Sequence, residues 1–470
     1  MAMLRRLLDS PWTYFVAAGL LAMVGIVSQI ERREPSRPPG GLPELAALHD
    51  RKDLNVVFIL IDALRADRLG VSGYARPTSP NLDALASGGV RFARTRASSS
   101  WTKPSMASLL TSTSPSAHRI LRWEDTVPDA ATLPAEVFRA AGLRTTGLHR
   151  NDWLAPHFGF AQGFDSYYTP RVYSETRAMR RNSPSVGSGL RGSDADTTDA
   201  AVQFLKSFGR ERFFLYLHYM DVHQYASDAA GPTFGTSHSD FYDSAIAWVD
   251  ANIGAVVSEL DRLGLSNRTL IIVTADHGEE FGEHGGEGHG RTLYREMTDV
   301  PLLVIPPFRL ATPAVVETPV SSLDVFPTVL DLMGLPPLPG AEGHTLRPLI
   351  EAAIGGTPPP AGEDRPVFAE LDRSWGQRGA PPDRLAAVAT DETRLIRALD
   401  RPEPVQLFAL GTDPNERANV AASDPATRDR LEALLSQQMQ RPASPWGAAA
   451  PVQMDRLSLD QLRALGYVVH

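Results

Sequence analysis

The chain has 470 residues, a formal charge of −9 and no cysteine. That length accommodates one large α/β domain with an appendage, or two to three average domains. The acidic balance, with no long basic stretch, argues against nucleic acid as a partner, and the lack of cysteine excludes disulfides, thiolate metal sites and cysteine nucleophiles.

Residues 1–10 form a short tail carrying Arg5 and Arg6. The uncharged run that follows predicts a transmembrane signal-anchor helix over 11–30, with Trp12 and Tyr14 suited to the membrane interface. The two arginines place the N-terminus in the cytoplasm. The rest of the chain is then expected on the periplasmic or extracellular side of the inner (plasma) membrane, held by a single span. A cleaved signal peptide is the alternative, but the run is long for one and no small-x-small site precedes Glu31. Residues 31–53 contain Pro35, Pro38, Pro39, Gly40 and Gly41 and read as a linker.

From residue 54 the pattern changes. Leu54 to Ile61 is apolar apart from Asn55, rich in β-branched residues, and stops at Asp62. It reads as a strand buried on both faces. Pro80 to Ala86 predicts a short helix. Pro104 suits the first turn of another that runs through Leu110, with Thr102 and Lys103 at its N-terminus. Residues 170–195 are polar, carry Arg177, Arg180 and Arg181, and predict a loop. Phe213 to Met220 predicts a third strand, ending at Asp221-Val222-His223. Tyr242 to Leu263 has helical spacing. Leu270 to Ala275 is another buried strand, ending at Asp276-His277-Gly278-Glu279, and Val300 to Ile305 is a further one. Strands alternating with helices imply an α/β layered domain with a mainly parallel sheet, here over 54–355. A Pro/Gly-rich break at Gly355 to Gly362 opens a smaller unit, 356–440. Its short runs (366–369, 385–388, 394–397) suit an antiparallel sheet, followed by a helix over 426–439. The tail 441–470 predicts one more short helix near Leu457 to Tyr467.

In parallel sheets ligands sit beyond the carboxyl ends of the strands. Side by side, the two acid-tipped strands would bring Asp62, Asp276 and His277 to one point, the makings of a divalent metal site. Taken alone, Asp62 reads more readily as a helix cap, and Asp276-His277 equally as a capped turn. A hydroxyl beside a metal, at a helix N-terminus that favours anions, can act as a nucleophile. Thr102 fits that role, or a plain N-cap. Lys103 could stabilise an oxyanion, or be a solvated turn lysine.

These stretches resemble the sulfatase family, within the alkaline phosphatase superfamily. The matching segments are Asn55 to Asp67, Thr78 to Ala86, Trp101 to Thr111, His218 to His223, Thr274 to Gly285, Asp324 to Leu330 and Leu462 to Tyr467. The resemblance implies an alkaline-phosphatase-like α/β sandwich with a mainly parallel central sheet, plus a small C-terminal α+β subdomain. It implies metal ligation by Asp62, Asp276 and His277, with Thr102 as ligand and nucleophile. His223 resembles a substrate-contacting histidine or leaving-group acid, a role suited to an imidazole; the other reading is a hydrogen-bonded loop histidine. His289 falls near a basic substrate contact, or would serve a second metal or a loop, with His284 a weaker candidate. Asn151 falls where sulfatases carry basic residues that contact substrate.

One departure decides the chemistry. Family sulfatases have Cys or Ser at the head of (Cys or Ser)-x-Pro-x-Arg, and this residue is oxidised to formylglycine. Here the frame reads Thr102-Lys103-Pro104-Ser105-Met106. Threonine cannot give formylglycine, and in the superfamily it resembles the nucleophile of phosphodiesterases and phosphotransferases. The acid that often follows Asp62 is Ala63. The expectation is a metal-dependent hydrolase or transferase using Mg²⁺, Mn²⁺ or Ca²⁺, with Zn²⁺ also compatible, acting on phosphate more than sulfate esters through Thr102. Its substrate would be a small molecule, a lipid head group or an envelope glycan. The alternatives are a true sulfatase working without formylglycine, and a catalytically silent envelope sensor.

Overall fold

The computed structural model describes residues 37–171, 192–227, 231–362, 365–447 and 451–452. The segment 11–30, most of the 170–195 loop and the helix expected near 457–467 lie outside these residues. No helix among the described residues is long and apolar enough to cross a membrane.

All seven residues of the strand Asn55–Ile61 are buried. Val56, Phe58 and Leu60 enter the hydrophobic cluster on one face of the sheet, while Val57, Ile59 and Ile61 enter the cluster on the other. Alternate side chains of a strand point to opposite faces, so a run apolar at every position must be covered twice. On one side the cover includes the helices Asp194–Phe208 and His238–Arg262; on the other it includes Thr102–Thr111 and Val325–Leu332. Among the described residues the central sheet has nine strands. Asn55–Ile61 lies at its middle, parallel to Thr269–Thr274 on one side and to Phe213–Tyr219 on the other. Arg144–Leu148 and Ser166–Tyr168 continue the parallel array. Asp299–Ile305 runs antiparallel to Thr269–Thr274 and to Val90–Arg96. Three parallel strands therefore present their carboxyl ends together, at Asp62, Asp276 and Tyr219–Asp221.

Two expected stretches differ. The linker read over 31–53 is structured in its second half. Pro39–Gly40 pairs in parallel with Arg309–Leu310, and Leu42–Ala47 and Leu48–Asp50 form helical turns. Leu45 and Leu48, three residues apart, bury their side chains and outweigh the preceding prolines and glycines. The 170–195 loop ends in helix, because Ser193 caps Asp194–Phe208 in a capping box with Asp196.

After Gly355 the chain forms a four-stranded antiparallel sheet, Val367–Asp372, Arg384–Ala389, Thr393–Ala398 and Gln406–Ala409. The helix Pro425–Met439 covers one face through Leu431 and Leu435. The opposite face, with Leu371, Leu385 and Phe408, joins the main core. Glu370 sits in this join. Its N–H donates to Ser98 O (2.9 Å) and its Oε1 accepts from Ser116 N (3.1 Å). Burial pushes its carboxyl up to about 7. Between about pH 4.5 and pH 7 the folded chain then holds a proton that the unfolded chain has released, so stability falls as pH rises through that window. At about 1.4 kcal/mol per unit the loss approaches about 3.5 kcal/mol. Urea unfolding at pH 5 and pH 8 should show Glu370→Gln with a decline smaller by up to that amount.

Candidate active site

Asp62, Asp276 and His277 are fully buried, and their ligand atoms lie within 4.8 Å of one another. His277 Nε2 is 3.6 Å from Asp62 Oδ1 and 3.4 Å from Asp276 Oδ2. Both of those oxygens are buried without a hydrogen-bond partner among the described residues. The remaining two are engaged. Asp276 Oδ1 accepts from Ala63 N (3.2 Å) and His277 N (3.0 Å). Asp62 Oδ2 accepts from Asn151 Nδ2 (2.7 Å) and faces His218 Nε2 at 3.0 Å. Ala63 takes a left-handed φ of 61°, which turns its N–H to Asp276. His277 Nδ1 lies 2.9 Å from Gly278 O, so it carries the proton and Nε2 is left as a lone-pair donor.

The electrostatics are those of a centre short of positive charge. Burial works against the charged form of Asp62, but His223, the hydrogen bond from His218 and His277 outweigh it and hold its pKa well below the carboxylate range. Asp276 is pushed up, by burial and then by Asp62 itself. Two buried carboxylates facing one another with orphaned oxygens fit a divalent cation, which the lone pair of His277 completes.

Thr102 stands beside this cluster. Its Oγ1 lies 3.3 Å from His277 Nε2, 3.4 Å from Asn151 Nδ2 and 3.5 Å from Asp62 Oδ2. It is the first residue of the helix Thr102–Thr111, and the capping position belongs to Trp101. The N-cap reading of Thr102 therefore falls away. The helix cannot bond its own first-turn N–H groups, so Thr102 and Lys103 present theirs at the helix end. Ser105 Oγ, one turn in, donates to Asp276 O and fastens this helix to the second acid-tipped strand.

The Lys103 side chain is engaged away from the cluster. Its ammonium donates to the carbonyls of Trp123 and Asp125 and lies 3.2 Å from the centre of the Phe158 ring. Burial lowers its pKa well below the usual lysine value. Among the described residues no contact joins it to Asp62, Asp276, His277 or Asn151.

Two further imidazoles lead away from His277, the first stacked on it and the second tilted against the first. His289 lies on His277 (centroids 4.5 Å, 29°), and His223 lies 4.8 Å from His289. His289 Nδ1 is 3.2 and 3.3 Å from the two oxygens of the buried Glu279. Burial opposes an imidazolium at His289, but Glu279 outweighs it and raises the pKa. Burial takes His223 down to about 4. His284 stands apart: its ring stacks on Tyr294, Nδ1 meets Glu296 at 2.6 Å and Nε2 meets Glu416 O at 3.0 Å.

Supports unnoticed in the sequence hold these groups. Arg150, buried, bridges Asp194 (2.7 Å) and Asp221 (2.6 Å), joining the strand ends that carry Asn151 and His223. Arg65 Nη1 donates to Glu279 O (3.0 Å) and Glu283 (2.6 Å). Gly290 N donates to Ser100 O (2.8 Å), and Trp375 Nε1 donates to Gly290 O (3.2 Å) while stacking on Trp101. The C-terminal subdomain thus braces both Thr102 and His289. Gly278, between His277 and Glu279, leaves no room for a side chain: a Cβ there would stand 2.0 Å from Glu296 O. Gly278→Ala is expected to cost about 1–3 kcal/mol of stability in a urea melt, by forced backbone movement. It should also lower kcat/KM, because both flanking residues move.

The strand ends of a mainly parallel sheet gather two carboxylates, an imidazole and a hydroxyl at a helix N-terminus, and the family match makes the chain an ester hydrolase of the alkaline phosphatase superfamily. The chain belongs to the sulfatase family, whose model matches residues 54–335. It is 25% identical over 452 residues to arylsulfatase K of Danio rerio, a match covering 82% of this chain and 83% of that one. The fold is that of a phosphonate monoester hydrolase from Silicibacter pomeroyi (TM-score 0.64, 22% identity, 86% of this chain and 100% of that one). It is also that of a 2-O GAG sulfatase (TM-score 0.68, 18% identity, 89% and 98%).

Proposed function

We propose that the protein cleaves or transfers phosphate esters, and sulfate esters less readily, through a covalent intermediate on Thr102. The observation that carries this is the placement of Thr102 Oγ1, between His277 Nε2 and Asp62 Oδ2, in a residue that cannot become formylglycine. A divalent cation held by Asp62, Asp276 and His277, with Thr102 beside it, supplies positive charge for the nucleophile and the transferring group. Mg²⁺, Mn²⁺ or Ca²⁺ suits the oxygen donors, and Zn²⁺ suits the imidazole.

Thr102 Oγ1 gives its proton to solvent water as its bond to phosphorus forms and the ester P–O bond breaks. His289, with Nδ1 committed to Glu279, keeps Nε2 for the leaving oxygen and delivers the proton, with the His223 ring alongside. Water or an acceptor hydroxyl then forms the new O–P bond, its proton returning to His289, and Oγ1 leaves and is reprotonated from solvent. Asn151 and the first-turn N–H groups steady the charge on the non-bridging oxygens. The substrate is a small-molecule, lipid head-group or glycan ester, reached from the outer face of a membrane to which residues 11–30 anchor the chain. Membrane sedimentation and external proteolysis of the intact chain test that placement.

Purified protein with Mn²⁺ should turn over bis-p-nitrophenyl phosphate, and acid quenching should leave phosphate on the peptide carrying Thr102. The arylsulfatase relatives favour a second reading, sulfate ester hydrolysis by the unmodified threonine. Turnover of an aryl sulfate alone would establish it. No turnover of any ester, with no bound cation, would instead support a silent binding protein.

A further inference from the structure

The strand Phe213–Tyr219 is buried and apolar except for Tyr216, His218 and Tyr219, none of which the reaction above uses; the Tyr219 hydroxyl pairs with Thr198 Oγ1 at 3.0 Å. Tyr216 and His218 are two residues apart, so they project from the same face. Tyr216 is 2% exposed and His218 fully buried. Placing a phenol and an imidazole inside a sheet core is costly unless every polar atom is bonded. Here they are bonded in series: Tyr216 Oη meets His218 Nδ1 at 2.6 Å, and His218 Nε2 meets Asp62 Oδ2 at 3.0 Å.

The chemistry of the acceptors fixes the direction of the chain. Asp62 Oδ2 already accepts from Asn151 Nδ2, and a carboxylate oxygen only accepts, so His218 carries its proton on Nε2. Nδ1 is then the acceptor, and the Tyr216 hydroxyl donates to it. Burial, raising the phenol's pKa well above its usual value, keeps that hydroxyl protonated. The two oxygens of Asp62 consequently differ. Oδ2 accepts from His218 Nε2, from Asn151 Nδ2 at 2.7 Å and, at the limit of reach, from Thr102 Oγ1 at 3.5 Å. Oδ1 accepts from nothing among the described residues and faces His277 Nε2, as Asp276 Oδ2 does.

We propose that Tyr216 and His218 form a buried relay that pins Oδ2 of Asp62, so that only Oδ1 is offered to the cation. His218 is a positioning residue, and Tyr216 acts through it by fixing its tautomer. Partners of this kind orient ligating carboxylates and imidazoles, and losing one weakens metal binding by about 10–100-fold. The inference rests on reading Asp62, Asp276 and His277 as cation ligands.

The test is Mn²⁺ titration of the chelator-stripped full chain by calorimetry, with unfolding of the metal-free protein measured alongside. His218→Leu should bind Mn²⁺ about 10–100-fold more weakly. Tyr216→Phe should weaken it less, and the double variant should match His218→Leu, since the tyrosine has no route to Asp62 except through the histidine. His218→Gln, which restores an N–H donor towards Asp62, should recover part of the loss. If His218→Leu does not fold, Tyr216→Phe and His218→Gln decide the matter. Unchanged affinity in the folded variants, with only a lower unfolding midpoint, would mean a structural pair and overturn the relay. Additive losses in the double variant would overturn the role of Tyr216 through His218. Failure of the wild type to bind Mn²⁺ would overturn the ligand reading itself, and the relay with it.

Discussion

Thr102→Ala is expected to lower kcat for a phosphodiester by about 10⁴–10⁶-fold, the scale seen when a nucleophile that works as part of a unit is removed. The alanine keeps the backbone N–H groups of the helix end, and Asp62, Asp276 and His277 are untouched. The residual rate therefore measures what charge and orientation achieve without covalent attack. Removal of one hydroxyl and one methyl should cost about 1 kcal/mol of stability, so a melt separates lost chemistry from lost fold. Thr102→Ser keeps Oγ1, and its activity should stay within about 100-fold of wild type, with the difference due to looser rotamer control. Steady-state rates and acid-quench labelling check both. A folded Thr102→Ala retaining wild-type turnover would rule out covalent attack by this residue.

The parts of the site that were readable in sequence are those written as local pattern. Asp62 and Asp276-His277 end unbroken apolar runs, and a parallel sheet delivers such ends to one edge. Thr102 was readable because Pro104 marks a helix start. His218 was not assigned a role, although an ionisable residue inside a buried strand is itself a signal; its partner Asp62 lies 156 residues away. Glu279 lay within a recognised motif, but its task appears only once the chain folds His289 back onto it. Lys103 was given a role by its neighbour in sequence, whereas its side chain is directed by Trp123, Asp125 and Phe158. Nor does composition distinguish the antiparallel strand Asp299–Ile305 from its parallel neighbours, because both kinds are buried on two faces.

Asp276→Asn should abolish cation binding and reduce turnover to the level of chelator-treated wild type, yet stabilise the metal-free protein. Without a cation, Asp276 and Asp62 are like charges in a fully buried site, each with an orphaned oxygen. The asparagine keeps Oδ1 for the N–H groups of Ala63 and His277, and replaces the repelling Oδ2 with an N–H₂ group able to donate to Asp62 Oδ1. Relief of that repulsion and of one buried charge should raise unfolding stability in chelator by about 1–3 kcal/mol. With cation the order reverses, because binding to the folded wild type alone adds about 4.1 kcal/mol at a thousandfold excess over Kd. Urea unfolding of both proteins, in chelator and in Mn²⁺, should therefore show curves that exchange places. A variant less stable than wild type in both conditions would mean that the carboxylate pair is a structural element, held by bonds the asparagine cannot make. A crossing identifies it as a site whose strain is relieved by the ion that the reaction needs.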